Sequence, residues 1–210
     1  MKLLGFEETK KLLDQYKIPF SQTKLVKSKK QALRAAQIIG YPVILKGYST
    51  KILHKTEKGL VKFKIDDEKK LEKVFDEIMK LARRIKIEGV LVQKMEQGIE
   101  LVCGMKRDVS FGPVLMFGLG GIFIEVLKDI SFAISPITKK EALDMVKEIK
   151  GYEILNGYRG QPCVEINRIA DVLIKLSNLS SEHSEIKEID FNPIFADGKK
   201  VIVADAKLLI

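Results

Sequence analysis

The stretch Glu188-Ile189-Asp190-Phe191-Asn192-Pro193-Ile194-Phe195-Ala196-Asp197-Gly198-Lys199-Lys200-Val201-Ile202-Val203-Ala204-Asp205 decides more of the fold than any other. Asp-Gly between two apolar runs signals a hairpin, because glycine takes the positive φ of a tight reversal at no steric cost. A turn over Asp197–Lys200 pairs residues whose numbers sum to about 397, which sets Asn192 opposite Asp205. Directly opposed side chains hold their Cβ atoms roughly 5 Å apart. An amide oxygen and a carboxylate on adjacent strands then form a half-shell for a hard cation. Mg²⁺ suits it, since that ion takes one or two protein carboxylates or carbonyls and fills its other positions with water and phosphate. Asp190 lies one strand period before Asn192 and on the same face. The plain alternative is a surface hairpin whose Asn192 caps a turn before Pro193, and spacing alone leaves both readings open.

Outward from the hairpin, the chain mixes strands and helices without strict alternation. Residues Glu7 to Tyr16 read as a short amphipathic helix, and Thr23–Val26 as a strand. Ser28 is placed to cap a helix carrying Ala32, Ala35, Ala36 and Ile39, which Gly40 stops. Tyr41–Lys46 reads as a buried strand ending in a charge, and Val61, Phe63 and Ile65 alternate with Lys62 and Lys64. Leu71, Val74, Phe75, Ile78, Met79 and Ala82 trace one helix face. Gly89–Gln93, Glu100–Met105 and Pro113–Phe117 read as strands, Lys139–Lys150 and Glu165–Leu176 as helices, and Ile186–Phe191 and Val201–Ala204 as closing strands. Such an order predicts an α+β protein of two lobes. The division is expected near Glu88, giving lobes 19–88 and 1–18 plus 89–210 of a single domain.

Composition narrows the function. The chain has 210 residues, 46% hydrophobic and 31% charged, which excludes disordered and collagen-like classes. No apolar run approaches the roughly 20 residues that span a bilayer, and the first residues are too short in apolar length for a secretory signal. With two cysteines, Cys103 and Cys163, a disulfide framework and a four-cysteine zinc site are excluded, and a reducing cytoplasm is expected. The net charge of +9 comes from 37 Lys and Arg against 28 Asp and Glu spread along the whole chain. Interleaved as in Asp66-Asp67-Glu68-Lys69-Lys70, they read as a solvated surface rather than a nucleic-acid patch.

Three further features bear on chemistry. Lys46 at a strand end reads either as a phosphate-binding point charge or as a solvated terminus. Gly118-Leu119-Gly120-Gly121 lets backbone N–H groups approach a phosphate, yet its spacing matches neither the Walker pattern nor the dinucleotide fingerprint. His54, in Ile52-Leu53-His54-Lys55-Thr56-Glu57-Lys58-Gly59, carries a side chain that is nucleophilic near pH 7, flanked by Lys55 and Lys58. The inert reading of a loop histidine stands beside that one. His183, in a polar stretch, reads as surface.

Together these segments resemble the β subunits of ADP-forming acyl-CoA synthetases. The resemblance is carried by Gly40-Tyr41-Pro42-Val43 through Lys46, by His54 to Gly59, and by the long block Phe111–Asp129. Pro136-Ile137-Thr138, Arg159-Gly160 with Pro162, and Glu188–Pro193 continue it. More distantly, the order of parts is similar to the nucleotide-binding half of the succinyl-CoA synthetase β subunit. It implies an ATP-grasp fold with ATP or ADP between two lobes. By the same resemblance Lys46 contacts the phosphates, and the segment from His54 to Val61, with Lys55 and Gly59, covers them. Gln93, Lys94 and Met95 fall at the adenine hinge, Glu100 at the ribose, and Gly120 and Gly121 in the glycine cluster. Asn192 and Asp205 match the Mg²⁺ ligands, and Asp190 an acidic residue beside the phosphohistidine loop. His54 matches the histidine that carries a phosphoryl group from a separate α subunit, which holds the CoA and acyl sites, in an α2β2 heterotetramer. Leu60 stands where the family commonly has a second glycine, and Glu57 where Asp is commoner, so a stiffer loop is expected. The alternatives are an ATP-grasp ligase without a histidine carrier and a non-catalytic nucleotide-binding module.

Overall fold

The computed structural model describes residues 2–50, 59–82, 86–121, 123–157 and 163–210. In chain order the elements are α1 (Phe6–Gln15), β1 (Thr23–Val26), α2 (Lys29–Ile39), β2 (Val43–Tyr48), β3 (Val61–Ile65), α3 (Glu68–Ala82), β4 (Gly89–Lys94), β5 (Ile99–Asp108) and β6 (Gly112–Leu119). A turn of π-helix, Phe123–Leu127, follows, and then β7 (Ile130–Ile134), α4 (Lys139–Glu148), α5 (Tyr152–Leu155), α6 (Ile166–Glu182), β8 (Glu188–Asp197), β9 (Lys200–Val203) and β10 (Ala206–Leu209). They form two compact units, Ser21–Glu96 and Met1–Phe20 with Gln97–Ile210.

The smaller unit is a four-stranded antiparallel sheet, β1-β4-β2-β3, with α2 and α3 on one face. Ser28 caps α2 by accepting the Gln31 N–H at 3.3 Å, and Gly40 ends it at φ +87°, a region open chiefly to glycine. Ala32, Ala35 and Ala36 meet Leu71, Phe75 and Ile78 of α3 over Val43, Leu45, Val90 and Val92. Two expectations need correction. Strand β4 belongs here rather than with the later strands, because its backbone pairs with β1 on one side and β2 on the other; the division therefore falls after Glu96, not near Glu88. Strand β2 does not end at Lys46 but runs on, buried throughout, to Tyr48.

The larger unit is an antiparallel sheet in the order β10-β8-β5-β6-β7, with β9 continuing the pairing on β8. Helices α4 and α6 cover one face, their Ala142, Met145, Val146, Leu173 and Leu176 meeting Leu101, Cys103, Met105, Leu115, Phe117, Ile189 and Phe191. Residues Lys2 and Leu4 donate backbone hydrogen bonds to Ile210 and Leu208, closing the β10 edge. Strand β7 was not legible in the sequence because its pattern is inverted. Ser131 and Ser135 point inward, donating to the carbonyls of Met145 (2.8 Å) and Ser177 (3.1 Å), while Phe132 and Ile134 point out.

Helix α4 opens with a capping box. Thr138 Oγ1 accepts the Glu141 N–H at 3.2 Å, and the Glu141 carboxylate accepts the Thr138 N–H at 2.7 Å. Those bonds hold the Glu141 carboxyl below its ordinary pKa, the Thr138 backbone N–H contributing most. Thr138→Ala should cost about 1 kcal/mol in urea unfolding. A depressed carboxyl pKa stabilises the fold above the unfolded value of about 4.3, and that contribution is lost as pH falls through the folded value. The stability gap between wild type and Glu141→Gln should accordingly be full near neutrality and close on acidification.

Candidate functional site

In the larger unit the expected hairpin register is present. Ile194, Phe195, Ala196 and Asp197 pair with Val203, Ile202, Val201 and Lys200, and the Asn192 N–H donates to the Asp205 carbonyl at 3.1 Å. Past Asp205 the ribbon continues on β10, which the sequence reading did not resolve, and Lys207 pairs with Asp190. Ile189, Phe191 and Leu208 lie in the core under the helices. Alternation therefore puts Asp190, Asn192, Asp205 and Lys207 on the opposite face. Opposite β5, the register shifts between Leu101 and Cys103, so that Asn192 and Pro193 together face Val102. Such a bulge bends the strand and re-aims the side chain at that point.

Asn192 is exposed and Asp205 half-exposed, and their backbones are joined across the ribbon by the Asn192 N–H to Asp205 carbonyl bond. Among the described residues no cluster of three or more His, Cys, Asp or Glu is placed to hold a metal. A cation here would take two protein oxygens and fill its shell from phosphate and water, which fits Mg²⁺ and does not fit a zinc-type site. Asp190 is half-buried with Lys207 Nζ 3.3 Å from its Oδ2. Burial pushes its carboxyl pKa up; Lys207 opposes this, while Asp205 and Glu188 add to the rise.

The glycine cluster acts differently from a phosphate nest. Gly118 lies inside β6, and the Gly120 N–H is spent on the Glu100 carbonyl at 2.7 Å. A Cβ on Gly120 would come within 3.0 Å of the Glu100 Cβ, and one on Gly121, at φ +59°, within 3.6 Å of a Glu100 carboxylate oxygen. Gly120 makes room for Glu100, which is exposed, whereas Gly121 is set apart by its positive φ.

In the smaller unit Lys46 is 8% exposed, between Val61 and Leu91 of the flanking strands. Because Val43 and Leu45 face the helices, Lys46 shares the other face with Ile44 and with Gln93, the partner of Ile44. Gln93 Nε2 donates to Thr23 Oγ1 at 2.8 Å, Thr23 Oγ1 to the Ser21 carbonyl at 2.8 Å, and Ser21 Oγ to Glu96 at 3.0 Å. Glu96, buried and in this network, went unnoticed in the sequence, where nothing marks it off from its polar neighbours. The N–H groups of Lys94 and Met95 already donate to Gln22 and Pro42 carbonyls within the unit.

His54 and Lys55, with Glu57, Lys58, Arg159, Gly160 and Pro162, lie outside the described residues. Gly59 takes φ +67° and is half-buried. Leu60 is fully buried in the core of the smaller unit, and a Cβ on the facing Gly47 would come within 3.0 Å of Leu60 Cδ2. Its bulk goes into packing within the smaller unit. Leu60→Ala should cost about 2–5 kcal/mol, read as a lower urea midpoint. His183 is not a plain surface residue: it follows α6, with Nδ1 2.8 Å from Glu185 and its ring edge-on to Tyr16.

The chain belongs to the ATP-grasp family, whose domain model matches residues 1–210. The β subunit of acetate–CoA ligase (ADP-forming) I of Pyrococcus furiosus is 44% identical over 208 residues, covering 97% of this chain and 90% of the relative. Acetate–CoA ligase (ADP-forming) I of Archaeoglobus fulgidus is also 44% identical, over 95% of this chain but only 30% of its own length. Acetyl-coenzyme A synthetase 1 of Ca. Korarchaeum cryptofilum, solved with coenzyme A and Ca-AMPCP, superposes with a TM-score of 0.95 at 39% identity, covering 100% of this chain and 93% of that one. The same enzyme has been solved with Mg-AMPPCP and a phosphohistidine segment pointing towards the nucleotide binding site. Within the ATP-grasp family, the branch is that of the ADP-forming acetyl-CoA synthetase β subunits. No helix among the described residues is long and apolar enough to cross a membrane.

Proposed function

We propose that this chain is the nucleotide-binding subunit of an acid–CoA ligase that forms ATP from ADP: acyl-CoA + ADP + phosphate gives acid + ATP + CoA, reversibly. The observation that carries the reading is the register that sets Asn192 against Asp205 beside Asp190 on one accessible face. His54 takes the phosphoryl group from a partner α subunit that holds the CoA and acyl sites. The N–P bond at His54 then breaks as a β-phosphate oxygen of ADP forms the new O–P bond, leaving the imidazole free. Asn192 and Asp205 hold Mg²⁺, which when bound neutralises phosphate charge. Lys46, with Lys55 and Gly59 of the covering segment, meets the phosphates. Gln93, Lys94 and Met95 border the base, and Glu100, for which Gly120 leaves room, meets the ribose. Asp190 accepts a hydrogen bond from the incoming imidazole and orients it. The work left to the protein is positioning and charge neutralisation. An α2β2 assembly in the cytoplasm, without nucleic acid or membrane partners, completes the reading.

Incubating the chain with α subunit, acetyl-CoA and radiolabelled phosphate tests it. Acid-labile label on this chain, chased into ATP by Mg·ADP, is the expected result. ATP formed with no label on the chain would favour a ligase without a carrier, and neither label nor ATP would favour a binding module.

A further inference from the structure

Nine large hydrophobic side chains are exposed among the described residues, and six of them fall between Val109 and Ile134: Val109, Phe111, Val126, Leu127, Phe132 and Ile134. In a chain with 31% charged residues this clustering sets one region apart. Two of the six belong to β7, where the serines point inward and Phe132 (58% exposed) and Ile134 (53% exposed) point out. Strand β7 is also an uncovered edge, pairing among the described residues with β6 alone, whereas the opposite edge at β10 is closed by residues 2–4. Natural edge strands are usually protected by charge, proline or a bulge. Ile130-Ser131-Phe132-Ala133-Ile134 has none of these.

The patch runs into the phosphate end of the candidate site. Register places Phe132 beside Met116, Met116 beside Gly104, and Gly104 beside Asp190, in one cross-strand row. At about 4.8 Å per strand, Phe132 stands roughly 14 Å from Asp190 on the same face of the sheet. A cavity of about 440 Å³ lies along this row, lined by Val114, Met116 and Phe132 at one end and by Lys106, Glu188 and Asp190 at the other.

We propose that the outward face of β6 and β7, with the Val109–Phe111 turn, is the docking surface for the acyl- and CoA-binding partner subunit. The inference rests on the proposed function, which requires a separate subunit to hand a phosphoryl group to this chain. A partner that delivers phosphate near Asp190 must approach this face, and the apolar end of the row is where it gains contact area without covering the acidic end. The Archaeoglobus fulgidus relative, of which this chain matches 30%, carries the remaining 70% (100 − 30) in the same polypeptide, so a large companion mass belongs with this domain. Lys106 and Lys128, exposed beside the patch, call for carboxylates on the rim of the partner.

The test compares wild type with Phe132→Asp/Ile134→Glu and with Phe132→Ala/Ile134→Ala. Affinity for the α subunit is read by titration calorimetry, assembly by sedimentation, and Mg·ADP binding on the chain alone. The charged variant should lose about 30-fold or more in partner affinity, as for the removal of central apolar anchors, and the alanine variant about 10-fold. Mg·ADP affinity should stay within about two-fold in both, which separates docking from misfolding. If the charged variant proves unfolded, Phe111→Asp at the turn replaces it with the same expectation. Undiminished partner affinity in a folded variant would overturn the proposal, as would a wild-type chain that dimerises through this face while its variants bind partner normally. Failure of the wild-type chain itself to bind the α subunit would instead remove the proposed function.

Discussion

Replacing His54 with alanine is expected to abolish ATP formation by the reconstituted enzyme, by at least on the order of 10³-fold, while Mg·ADP still binds with near wild-type affinity. A covalent carrier cannot be partly replaced by its neighbours, so removal of the nucleophile costs close to the whole rate advantage of the step. Lys55 and Lys58 supply charge but no group that accepts phosphoryl at neutral pH. Radiolabel from phosphate should fail to appear on the His54→Ala chain and should still appear on the α subunit. The split between lost transfer and retained binding distinguishes a carrier from a nucleotide contact, which would weaken both. ATP synthesis at near wild-type rates would leave His54 without a role.

The second large effect is expected at Asp205. Asp205→Asn keeps size and hydrogen-bonding oxygen but removes a charge from the donor pair, and Mg·ADP affinity should fall about 10- to 100-fold, in line with losses on disturbing metal shells. ADP without Mg²⁺ should bind as it does to wild type. Stability should be nearly unchanged, since the residue is half-exposed at the junction of β9 and β10 rather than in the core. Calorimetric titration with and without Mg²⁺, together with a urea midpoint, separates the metal contribution from any general damage. If Mg²⁺ dependence survived intact, Asn192 and Asp205 would lose their assignment together, because one strand register joins them.

Much of this was legible along the chain. Asp197-Gly198 fixes a register through a local turn, so Asn192 and Asp205 could be paired from numbering alone. Ser28, Gly40 and the Leu71–Phe75–Ile78 face are likewise local signals that set where helices begin, end and bury. The division of units was misplaced because β4 is adjacent in sequence to β5 yet bonded to β1 and β2, and sheet order is a long-range property. Leu60 looked like a loop residue and is core, since what fills the space over Gly47 depends on strands brought together from elsewhere.

By itself the sequence determined the α+β character and the Asn192–Asp205 register, which are written in local pattern, and its shared segments, above all Phe111–Asp129, carried the resemblance that pointed to the family. Only the tertiary structure decided that the Gly120 N–H is consumed by Glu100, that Lys46 is buried inside β2, and that Phe132 and Ile134 face outward while serines turn in. Those outcomes depend on which backbone groups and side chains meet across strands distant in the chain, and a hydrogen bond or a buried charge exists only once both partners have been placed.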